Sequence, residues 1–77
     1  MEKSAKRQRF EKVASNRVQK IIDTLNLLQN CSNRNNYEYS ETDVERMFSE
    51  IQKSFKDAKD AYLKELSKAK KIEFSFD

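Results

Sequence analysis

Residues 42–69 read TDVERMFSEIQKSFKDAKDAYLKELSKA, and the periodicity of this stretch decides the fold. Val44, Met47, Phe48, Ile51, Phe55, Ala58, Tyr62, Leu66 and Ala69 recur at intervals of three and four. At about 100° per residue they fall within a sector roughly 100° wide. The opposite side sets Arg46 before Glu50, Lys53 before Asp57, Lys56 before Asp60 and Asp60 before Lys64. Each pair stands four apart, the spacing at which opposite charges support a helix. The stretch therefore predicts an amphipathic helix over residues 41–70. Two capping boxes compete for its start: Thr42 with Glu45, and Ser40 with Asp43 two residues earlier. Glu41, Asp43 and Glu45 suit the positive end of the helix dipole, and Lys68, Lys70 and Lys71 suit the negative end.

Upstream the period stops. Residues 29–41, QNCSNRNNYEYSE, are rich in Asn and Ser, which compete for backbone hydrogen bonds and favour caps and turns. The connection is placed at residues 30–40, with Asn30, Asn33, Asn35 and Asn36 available for left-handed backbone that Gly would otherwise supply. Before it, Phe10, Val13, Ala14, Val18, Ile21, Ile22, Leu25 and Leu28 form a second apolar stripe, from which Leu27 and Ala5 fall away. Arg9, Lys12, Asn16, Gln19, Lys20 and Asp23 lie opposite, so a first helix is expected over residues 4–29. Short connections make antiparallel neighbours. The expected fold is all-α, an antiparallel two-helix hairpin with its stripes facing each other.

Downstream the period changes. Residues 72–77, IEFSFD, alternate apolar and polar as a strand does, with Ile72, Phe74 and Phe76 on one side. A single six-residue strand cannot stabilise itself. The extended tail, residues 71–77, is expected to dock as a strand on a partner's sheet edge, the alternative being that it folds back on the bundle.

The chain of 77 residues contains no Gly and no Pro, where average usage predicts about nine of the two together. The common helix breakers are thus missing. Charged residues make up 38% of the chain, but five Phe, three Tyr and the ordered apolar period argue against wholesale disorder. One domain at most fits this length, and a lone two-helix unit is marginal. With one cysteine, Cys31, no internal disulfide is available. Completion to a helical bundle is expected to come from self-association, as a homodimer, or from a larger partner protein. Cys31 itself reads as a small hydrophobe at a helix end. No apolar run has the length of a signal peptide or a membrane span, so a cytoplasmic location is expected. Met1 opens directly into usable helix, which suits a complete small reading frame, and the Lys, Asn, Ser, Glu and Ile content suits an AT-rich genome.

Formal net charge is +3, unevenly spread. Residues 1–20 hold seven bases against two acids, +5, while the rest hold nine against eleven, −2. A basic arm on a near-neutral body points to an anionic partner, nucleic acid before membrane. The candidate nucleic-acid residues are Lys3, Lys6, Arg7, Arg9, Lys12 and Lys20, with Glu11 interleaved. Such a row tracks phosphates with salt-sensitive, sequence-independent affinity. It also describes an ordinary solvated face. The pI of about 9.1 is modest for a DNA-binding domain.

Arg17 falls at the rim of the first apolar stripe, where it either snorkels or makes a specific ion pair, across the helix interface or with a partner. Tyr37 and Tyr39 either close the end of a small core or offer faces for stacking. With no His, no Trp and no Gly-rich phosphate loop, the commonest general base and the nucleotide fingerprints are missing. Cys31 has no activating His, and no clustered ligands suggest a metal. A non-enzymatic protein without cofactor or metal is expected.

Two stretches, Arg9-Phe10-Glu-Lys-Val-Ala-Ser-Asn-Arg17-Val18 and the segment from Leu28 through Asn33, Tyr37 and Tyr39 to Val44, carry a resemblance. Over residues 9–62, mainly in the Ser-Asn…Tyr-x-Tyr loop, the chain resembles small uncharacterised accessory proteins of plasmids and integrative mobile elements in Gram-positive bacteria. The resemblance implies an accessory role in replication, transfer or regulation of mobile DNA, as a small subunit beside a larger enzyme. It implies no catalytic residues. The alternative is a pure protein-interaction module, an inhibitor or scaffold, that touches no nucleic acid.

Overall fold

A computed structural model describes residues 4–69. The fold is all-α: helix α1 runs Ala5–Asn30 and helix α2 runs Glu41–Ala69, and the described residues contain no strand. The chain divides into two compact units between Glu38 and Tyr39, with one helix in each.

In the first unit, Ser4 caps α1 from extended backbone (φ −63°, ψ 160°). Its hydroxyl accepts from the Arg7 amide at 3.0 Å and its carbonyl accepts from the Gln8 amide at 3.0 Å, which satisfies donors that a helix start leaves open. The far end tightens: the Cys31 amide donates to the Leu28 carbonyl at 3.0 Å, and the Ser32 amide and hydroxyl both donate to the Gln29 carbonyl. Cys31 sits at the helix end in right-handed backbone, where it is exposed rather than packed as a small hydrophobe in a core.

The loop departs from one expectation. No described residue has positive φ, so no Asn takes the left-handed conformation. Asn33 builds the turn with its side chain and its carbonyl instead. Its Oδ1 accepts from the Asn35 amide at 2.9 Å, and its carbonyl accepts from the amides of Asn36 and Tyr37. An Asx turn of this kind reverses local chain direction without αL backbone.

In the second unit, the start of α2 is settled between the two boxes. The Asp43 amide donates to Ser40 Oγ at 3.1 Å, and the Ser40 amide donates back to Asp43 Oδ2 at 2.8 Å. Val44 donates to the Ser40 carbonyl at 3.2 Å, the first helical bond. Ser40 and Asp43 thus form a reciprocal box, and Glu45 is left outside it. Of the outer-face charges, the four pairs spaced four apart are not drawn into contact. The ion pair of α2 joins Glu65 to Lys68 at 3.4 Å.

The described residues of neither unit form a core. Among the described residues no side chain is buried. On α1, Phe10, Val18, Ile21 and Ile22 are all exposed; on α2, Ile51 is 36% and Phe55 69% exposed. Ala14, Leu28, Tyr39 and Val44 are half-buried.

Candidate functional site

Three surfaces carry the sequence-derived candidates, and each is built by one element. On α1, Lys6, Arg9, Lys12 and Lys20 are exposed, and none of them holds an ion pair among the described residues. Lys6 and Arg7 stand in the first turn, and no acid accompanies them there. Bases at a helix N-terminus oppose the macrodipole, which favours anions at that end.

Arg7 does not belong with the row. Its Nε donates to Glu11 Oε1 at 3.0 Å, and its guanidinium lies 5.6 Å from the centre of the Phe10 ring. A cation within about 6 Å of an aromatic face is held by the ring quadrupole. Arg7 is therefore engaged on the apolar side of α1. The signal was present in the sequence, since Phe10 and Glu11 follow Arg7 at three and four residues.

Arg17 is exposed one turn after Val13 and one turn before Ile21, within the apolar face rather than opposite it. Lower on α1, Gln19 donates to Asp23 and the Thr24 hydroxyl donates to the Lys20 carbonyl, local bonds that occupy the polar side without building a site.

The loop surface separates its two tyrosines. Tyr37 lies in the first unit and is 51% exposed, while Tyr39 lies in the second and is half-buried. Tyr37 closes no core, because none is present to close among the described residues.

The α2 face is a continuous apolar feature. Met47, Phe48, Ile51, Phe55, Tyr62 and Leu66 are exposed along it, with Val44 half-buried at its start. Leu63, outside the expected period, is 50% exposed and widens the face beside Leu66. Its signal was its spacing of three from Leu66, which places the two side by side.

Electrostatics single out Asp43. The Ser40 amide hydrogen bond holds its carboxyl below its ordinary value of 3.8, with the Ser40 hydroxyl and the Arg46 charge adding to the effect. This is a capping carboxylate, stabilised in its charged form by donors. Beside it, Glu45, Arg46, Ser49 and Glu50 line an open depression on α2. No group of three or more potential metal ligands occurs among the described residues. No helix there is long and apolar enough to cross a membrane. Lys3 and the tail residues Ile72, Phe74 and Phe76 lie outside the described residues.

No family model matches this sequence, and neither a curated protein nor a solved structure matches it significantly.

Proposed function

We propose that this chain is a non-enzymatic accessory subunit whose helices are covered by binding a larger protein. The observation that carries this reading is the absence of any buried side chain among residues 4–69, against two long and regular apolar faces. Burying a large apolar side chain contributes about 1.5–3 kcal/mol, so faces of this size drive association. Helices in proteins draw most of their stability from packing an apolar face against another element. Arg17, Tyr37 and Tyr39 are the polar and aromatic contacts available beside those faces, and Ile72, Phe74 and Phe76 would add a strand to the partner.

The test is reconstitution. Proteins retained by the tagged chain in its native host are purified and mixed with it, and the complex is followed by light scattering. A one-to-one or two-to-one complex that Ile21→Asp weakens supports the reading. A chain that stays alone with every retained protein refutes it.

Contact with nucleic acid is the second part of the proposal. Support comes from Lys6, Arg9, Lys12 and Lys20, exposed and without ion pairs among the described residues, with Lys6 in the first helical turn where bases are ordinarily disfavoured. A role in replication, transfer or regulation of mobile DNA rests on the resemblance of residues 9–62. Salt titration on random single- and double-stranded DNA separates the two readings. Affinity that falls steeply with salt supports contact, while no binding at low salt leaves a pure protein-interaction module.

A further inference from the structure

We infer that the α2 face is a self-recognition seam, pairing antiparallel with α2 of a second copy of this chain in one register. This goes beyond the larger-partner reading, since it assigns α2 to a second copy and leaves the α1 face for other contacts.

The argument starts from spacing. Val44, Phe48, Ile51, Phe55, Ala58 and Tyr62 alternate steps of four and three without a break, the seam of a coiled coil. Their sizes also follow a pattern. In an antiparallel pair centred between Ile51 and Phe55, Val44 meets Tyr62 of the second copy, Phe48 meets Ala58, and Ile51 meets Phe55. Every layer sets a large side chain against a smaller one, which fills the seam evenly. A parallel pair stacks Phe48 on Phe48, Phe55 on Phe55 and Tyr62 on Tyr62, with Ala58 on Ala58 between them. Such a seam alternates overfilled and hollow layers.

Charge selects the same register. The positions flanking the seam on one side are Glu45, Gln52 and Lys59. The antiparallel register sets Glu45 beside Lys59 of the second copy at both ends, with Gln52 beside Gln52 at the centre. The parallel one sets Met47 by Gln52 and Ser54 by Lys59, with no opposite charges. Glu45 and Lys59 are both exposed, and neither has an ion pair within the described residues. Glu45 is spare because the Ser40–Asp43 box has taken the cap.

The experiment uses the full chain with Cys31→Ser as background. Glu45→Cys and Lys59→Cys are made separately, then oxidised alone and mixed. The mixture is expected to give a disulfide-linked dimer that neither variant gives alone. In parallel, Glu45→Lys is expected to raise the dimer dissociation constant about tenfold through two lost and inverted pairs, and adding Lys59→Glu to restore it. Both substitutions are exposed, and circular dichroism checks that helicity is kept. A mixture that links no better than either variant alone overturns the inference. A monomer by sedimentation equilibrium at millimolar concentration also overturns it, assigning the face to α1 or to another protein. Failure of the double charge swap to restore affinity overturns the register.

Discussion

The two helices are similar in length, 26 and 29 residues, and differ in almost every way that controls what a helix can do by itself. Helix α2 has a reciprocal cap at its start, Glu41 and Asp43 in its first turn, and Lys68 in its last. Each term works with the dipole. Helix α1 has a one-way cap from Ser4, no acid in its first turn and no base in its last. Its apolar face is wider and admits two guanidinium groups, Arg7 and Arg17. The face of α2 is narrow, unbroken by charge along the seam, and graded in size. A helix that is complete in itself with a uniform face suits a symmetric partner. A helix with an unfavourably charged start and arginines within its face suits one that supplies matching anions.

The largest expected effect separates those faces. Ile51→Asp places a carboxylate in the α2 seam and is expected to weaken self-association by more than about 3 kcal/mol. Ile21→Asp on α1 is expected to change it by less than about 1 kcal/mol. Sedimentation equilibrium on the full chain measures both. Equal losses would mean that both helices share one bundle core and that the contrast between them is only cosmetic.

The caps come next. Ser40→Ala removes the hydroxyl that accepts from the Asp43 amide, at a cost of about 1 kcal/mol, while Ser4→Ala costs about 0.5 kcal/mol. Thermal melts followed by circular dichroism rank the two. Thr42→Ala should leave the melt nearly unchanged, since the box that begins at Thr42 is not used.

Acid sharpens the same contrast. The folded Asp43 carboxyl titrates below 3.8, so its contribution is fully present above that value. It fades as pH falls through the lower folded value, when the bound proton cancels the charge that strengthens the bond from the Ser40 amide. Amide chemical shifts of Ser40 and Asp43 should follow this single titration. In Asp43→Asn, which keeps an oxygen acceptor, they should stay flat.

The smallest effect concerns Arg7. Glu11→Gln removes an ion pair between side chains that are 58% and 35% exposed, and should cost no more than about 0.5 kcal/mol. Phe10→Leu, which removes the ring under the same guanidinium, should cost a similar amount. Larger losses in either would make the N-terminal turn of α1 a structured element rather than a charged end.

Much of this was legible in the residues. Both helices follow from the recurrence of Phe10, Val13, Ile21 and Leu28 and of Val44, Ile51, Phe55 and Tyr62, because a helical period is geometry that a single element carries alone. The loop was legible as a loop from its Asn and Ser, but its turn was not. Asn has two ways to turn a chain, by left-handed backbone or by its side-chain oxygen, and composition does not distinguish them; Asn33 uses the second. The row of bases was legible, and the departure of Arg7 is encoded by Phe10 and Glu11 at helical spacing from it.

By itself, then, the sequence determined the two helices, their polar and apolar sides and the charge at each end, all properties of local geometry and composition. Only the structure decided between the overlapping caps, because both stretches match the same residue pattern two positions apart. The start at Ser40 prevails by closing the extra bond from Val44 to the Ser40 carbonyl. Only the structure, too, shows that Ile51 and Phe55 remain uncovered. Periodicity names the face a helix must bury, whereas burial itself depends on a second surface that lies outside the helix.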